Sequence, residues 1–158
     1  KELFHVDVRQ QAGLVTLTAI ADSAAGVKVV RFLPDPPYYI DVSGAPPVIR
    51  ADGEGRSYIT AHLMDHYYNT VLDGVTVTFV TDWGQFMGTY DMEYTTFTDA
   101  DGLAQATLIA ADEPHNALVR AIAYNEDLAS DVQGYTYVLM VDPWKLYIPI
   151  VFRQGVWP

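Results

Sequence analysis

Apolar and polar residues alternate with a period of two along most of the chain. This predicts strands, because successive strand side chains point to opposite faces of a sheet. Near the start, Phe4, Val6 and Val8 alternate with His5 and Asp7; Val15, Leu17, Ala19 and Ala21 alternate with Thr16, Thr18 and Ile20; Val30 and Phe32 follow Lys28. Turn-forming residues at 10–13 and 22–26 divide these runs, which read as three antiparallel strands. The next stretch, PDPPYYIDVSGAPPVIRADGEG, contains five prolines and three glycines. Proline donates no ladder hydrogen bond, so a connector with one short edge strand at 39–42 is expected here.

Alternation resumes at Arg56, with Ile59, Ala61 and Leu63 predicted inward and Tyr58, Thr60 and His62 outward. After a turn at 65–69, Val75, Val77 and Phe79 form a second core face, and 86–98 reads as two short strands. Asp99, Asp101 and Gly102 predict a tight turn, since Asp side chains bond local backbone and Gly accepts positive φ. Strands at 104–109, 117–123 and 134–141 complete the set. Short strands with turn signals every 8–12 residues predict an all-β fold, an immunoglobulin-like antiparallel β-sandwich.

The run ADGEGRSYITAHLMDHYYNTVLDGVTVTFVTDWG, followed by TTFTDADGLAQATL and NALVRAIAY, resembles the bacterial Ig-like group 1 domain of invasin and intimin type over about residues 36–141. The tyrosine-rich stretch Asp65-His66-Tyr67-Tyr68-Asn69 departs from that pattern, where a smaller turn is usual. The resemblance implies an extracellular module used in tandem on bacterial surfaces, in stalks or adhesins, with no catalytic residues to carry over.

The chain also resembles itself. Leu17-Thr18-Ala19-Ile20-Ala21 matches Val119-Arg120-Ala121-Ile122-Ala123 at a spacing of 102 residues, and Asp35-Pro36 matches Asp142-Pro143 at 107, about one Ig repeat. Three divisions follow: 1–34 as the last three strands of a partial Ig-like domain, 35–141 as a complete domain, and 142–158 as a tail strand able to act as a donor. In the tail, Leu146, Ile148, Ile150 and Phe152 share one face.

A tail of this kind added to the open first sheet of the next copy would build a fibre head to tail, by β-augmentation through a heterologous contact. The expected self-assembly surface is then Phe4, Val6, Val8, Val15, Leu17, Val30 and Phe32 on one copy and the four tail residues on the other. The alternative is a stalk or adhesin fragment of a longer surface protein, whose target would be a host or surface glycan or protein. A carbohydrate-binding module is a third reading, with Tyr58, Tyr67, Tyr68, Trp83 or Trp144 as stacking platforms; tyrosine is also a good strand former on half-buried pleated surfaces.

Charge and composition narrow the classes. The 158 residues have a net charge of −11, and between 51 and 141 fourteen acids face only Arg56 and Arg120. Nucleic acid is disfavoured as a partner, because its phosphates need Lys and Arg. No run approaches the length of a membrane span, and no charged-then-apolar signal opens the sequence. With zero cysteines, disulfides and thiolate chemistry are excluded. No G-x-S-x-G occurs, and His5, His62, His66 and His115 are scattered, so neither an enzyme, nor a cofactor, nor a metal site is expected. A calcium loop starting at Asp99 would need an acid where Ala110 stands.

Overall fold

The computed structural model describes residues 11–21 and 24–142. All regular structure among them is β. The order is β1 (Gly13–Ala21), β2 (Ala24–Phe32), β3 (Tyr39–Ala45), β4 (Val48–Arg50), β5 (Arg56–Met64), β6 (Thr76–Thr81), β7 (Gln85–Phe86), β8 (Glu93–Phe97), β9 (Leu103–Ile109), β10 (His115–Asn125) and β11 (Ser130–Val141).

β3 to β11 form an Ig-like sandwich. One sheet has the order β3-β5-β9-β7 and the other β4-β11-β10-β6-β8. On β5 and β6 the inward positions follow the alternation read from the sequence, with Ile59, Ala61, Leu63, Val77 and Phe79 fully buried, while Val75 lies just before β6 and is partly buried; on β10, Ala117, Val119 and Ala121 are fully buried as well. Phe86 joins them and lies 6.2 Å from Phe79, ring centre to ring centre. Each large apolar side chain so buried contributes about 1.5–3 kcal/mol before entropy is counted.

Several boundaries differ from expectation. The 39–42 edge strand extends to Ala45, and a further strand, β4, lies inside the proline-rich stretch. The chain leaves one sheet as β3, passes the cis Ala45–Pro46 bond and joins the other sheet as β4, parallel to β11. Three residues that directly follow two prolines carry too little pattern to be read as a strand; it is β11 that supplies their hydrogen-bonding partners. β11 itself begins at Ser130 rather than 134, since Ser130 to Gln133 pair with the end of β10.

The 99–102 turn forms as predicted: the Asp99 carboxylate accepts from the N–H groups of Asp101 and Leu103 at 2.9 and 3.0 Å. Gly102 has φ +66°, and a Cβ there would come within 2.5 Å of the Thr70 methyl and 3.1 Å of the Leu63 carbonyl oxygen, so both backbone and space favour glycine.

β1 and β2 stand outside both sheets as a two-stranded antiparallel ribbon. The first strand expected from the sequence, with Phe4, Val6 and Val8, lies outside the described residues, as do Trp144 and the tail residues Leu146, Ile148, Ile150 and Phe152.

Candidate interface: the ribbon and its joint with the sandwich

The ribbon register pairs Val15 with Val30, Leu17 with Lys28, Ala19 with Gly26 and Gly13 with Phe32. Directly opposed residues share a face, so four residues expected to take part in assembly, Val15, Leu17, Val30 and Phe32, lie together. The other face carries Leu14, Ile20, Val27 and Val29, and Leu14 and Ile20 there are 73% and 75% exposed. Val15 and Leu17 are themselves 37% and 36% exposed. Both faces are therefore apolar and open, a condition in which an isolated two-stranded ribbon is marginal.

The same register recurs in the sandwich, where Ala117 pairs with Val138, Val119 with Thr136 and Ala121 with Gly134. Overlaying Leu17 on Val119 puts Val15 on Ala117, Ala19 on Ala121, Gly26 on Gly134 and Val30 on Val138. Ala117, Val119, Ala121 and Val138 are all fully buried. Gly134 has a steric reason: a Cβ would come within 2.2 Å of the Ile40 carbonyl oxygen on β3, where the two sheets approach each other. Around Gly26 there is nothing within 4 Å. A strand-interior glycine costs stability, and in the ribbon it meets no backbone that would require it.

The ribbon is tied to the sandwich at its base. Asp65, fully buried at the end of β5, accepts hydrogen bonds from the N–H of Tyr67 and of Asn69 at 2.8 Å each, from the Asn69 side-chain amide at 2.8 Å and from the N–H of Asp35 at 3.1 Å. Burial alone pushes the Asp65 carboxyl up, but the bonds from Asn69, Asp35 and Tyr67 outweigh it and hold the group below the ordinary carboxylate range. Asn69 in turn accepts from the N–H of Ala12 at 3.0 Å. One turn thus grips the chain just before β1 and just after β2. On the other side of the connector, the buried Asn125 side chain donates to the Pro37 carbonyl at 2.7 Å.

Rings cover this joint. Tyr39 and Tyr68 stack with centres 4.7 Å apart and planes 5° from parallel. Tyr38 meets Tyr39 at 4.8 Å and His66 at 4.6 Å, both edge to face. The hydrogen bond with the Tyr68 hydroxyl, followed by burial, raises the pKa of Tyr39. The tyrosines that made 65–69 unusual in sequence therefore pack on the joint. Tyr58 is exposed on the outer face of β5, and Trp83 packs against the core with its ring nitrogen donating to the Glu113 carbonyl at 3.3 Å. Asp65 carried no sequence signal beyond its place in a turn; its role depends on Asp35 and, through Asn69, on Ala12, both brought in from far along the chain.

No protein-family model matches the chain, and no curated protein does. Solved structures do. The D0–D1 domain of intimin aligns with 82% of this chain and 63% of its own length, at 23% identity and a TM-score of 0.51. The D00–D0 domain of intimin aligns with 85% and 68%, at 17% identity and a TM-score of 0.53. The fold is that of the intimin Ig-like domains. The chain spans less than two thirds of the D0–D1 structure. A glycosyl hydrolase family 2 member from Bacteroides cellulosilyticus also aligns, with 80% of this chain but 17% of its own, at 15% identity and a TM-score of 0.50. Identities this low carry the fold, and a fold hosts many roles.

Proposed function

We propose that the chain is a structural segment of a tandem Ig-like array displayed outside a bacterial cell. In this reading the β1–β2 ribbon is the closing hairpin of one sandwich and β3 to β11 are the next. The observation that carries it is Gly26, a glycine with no neighbour in the ribbon at the position where Gly134 is needed to admit the backbone of β3. Residues 1–34 then belong to the preceding module, and Asp65 and Asn69 set the angle between the two. The array is a stalk, without catalysis. Two-domain intimin structures that align with more of the chain than the sandwich alone support the same arrangement.

Gly26→Val tests it. In the full natural protein the substitution is expected to unfold the preceding module, seen as loss of one cooperative transition, while in the 158-residue chain it leaves the sandwich transition unmoved. A natural protein whose preceding transition survives Gly26→Val would end the proposal.

A second reading has one observation in its favour, the shared face of Val15, Leu17, Val30 and Phe32. Here Leu146, Ile148, Ile150 and Phe152 of another copy cover that face and the protein grows as a head-to-tail fibre. One donated strand replaces only one of the strands that enclose β10 and β11 in the sandwich, so a neighbouring module covers the ribbon more fully. Deleting 146–158 discriminates: fibres seen by electron microscopy before and lost after the deletion would favour donation, and persistence of fibres would exclude it.

A further inference from the structure

Tyr68 is held at φ +63°. A bulky L-residue in the left-handed region is strained, and such positions persist where the surrounding structure demands them. Asn or Gly would relieve the backbone, yet a tyrosine stands there, 68% exposed, with its ring laid flat on Tyr39. The two stand 29 residues apart in the chain, Tyr39 opening β3 and Tyr68 in the turn that follows β5, the strand with which β3 pairs. A protein without cysteine has no disulfide with which to fasten such a joint.

We propose that Tyr39 and Tyr68 form an oxidative crosslinking site, at which one-electron oxidation of both phenols yields a dityrosine that staples β3 to the 65–69 turn. Each phenol gives up its hydroxyl hydrogen as a proton and an electron. The two ring radicals join through the carbons ortho to oxygen, and the hydrogens displaced from those carbons return to the oxygens as the rings regain aromaticity. The net loss is two protons and two electrons, which one hydrogen peroxide takes up through a haem peroxidase to give two waters. Parallel stacking places the two radicals in contact before solvent or a second chain can intercept them. Tyr135 and Tyr137 provide an internal contrast, since they are exposed but meet edge to face at 6.1 Å.

The test exposes the 158-residue chain to a haem peroxidase with limiting hydrogen peroxide, isolates monomer and maps tryptic peptides. The expected product is a monomer lighter by two hydrogen atoms, with dityrosine fluorescence and a link between peptides 32–50 and 57–120 assigned to Tyr39 and Tyr68. Y39F and Y68F each abolish that link, Y135F does not, and the linked form melts at a higher temperature than the unlinked one. Three results would overturn the proposal: links only between chains, an undiminished peptide link in Y68F, or a linked monomer that melts no higher. Circular dichroism of Y39F and Y68F separates loss of the site from loss of the fold.

Discussion

The β1–β2 ribbon and the β10–β11 hairpin share one pairing pattern and end in opposite conditions. Ala117, Val119 and Val138 have no exposed surface, whereas Val15 and Leu17, in the matching places, retain over a third of theirs. The difference lies in what stands opposite. β10 and β11 face β3 and β5 across the sandwich and are flanked by β6 and β4; the ribbon has no third strand among the described residues. Similar local patterns thus produce a core in one place and an exposed surface in the other.

Core substitutions should separate the two most sharply. Phe79→Ala is expected to destabilise the sandwich by about 3–5 kcal/mol, because a fully buried ring leaves a cavity, and Gly134→Val should be at least as damaging through its clash with the Ile40 backbone. Leu17→Ala, made in the ribbon, should move the same denaturant midpoint by less than about 0.5 kcal/mol. Equal effects of Leu17→Ala and Phe79→Ala would show that ribbon and sandwich share one core.

The joint comes next in size. Asp65→Ala removes the fully buried acceptor of four part-buried hydrogen bonds, at a cost of roughly 3 kcal/mol. Asn69→Ala should also loosen the ribbon, read as faster hydrogen exchange at Ala12 and in β1 with the core of the sandwich still protected. Uniform exchange throughout the Asn69→Ala protein would mean that the ribbon is not held by this turn.

Acid sharpens the comparison further. The folded carboxyl of Asp65 lies below its unfolded value, so the stability it supplies is fully present above the unfolded pKa, about 4, and is lost as pH falls through the folded value. Asp65→Asn should therefore flatten the acid limb of the stability profile while leaving the ribbon's own exposed residues without effect. A profile as steep in Asp65→Asn as in the parent protein would assign the acid sensitivity elsewhere.

A small gain is expected at the β10–β11 turn. Ala129, in the β10–β11 turn, has φ +49°, and Ala129→Gly should raise the stability of the sandwich by up to about 1 kcal/mol in thermal unfolding. A loss of stability would show that the unfolded chain's added freedom outweighs the relief.

Much of this division is legible in the sequence. Alternation located the inward residues of β5 and β6, because a sheet with one buried face imposes period two on its sequence. The repeat linking Leu17 to Val119 was legible too, as a match of local pattern; that Val15, Leu17, Val30 and Phe32 share a face comes from the ribbon register. β4 was not legible, since three residues after a proline pair carry no periodic signal and become a strand only beside β11. Nor were Asp65 and the Tyr39–Tyr68 stack, whose partners come from distant segments.

By itself the sequence determined which residues prefer strands, which side of each strand is apolar and that one hairpin occurs twice, all consequences of local pattern. Only the tertiary structure decided which copy of that hairpin is enclosed, why Gly134 is needed where Gly26 stands idle, and which turn holds ribbon and sandwich together. Those depend on what approaches each strand from elsewhere in the chain, and nothing within a strand's own residues encodes it.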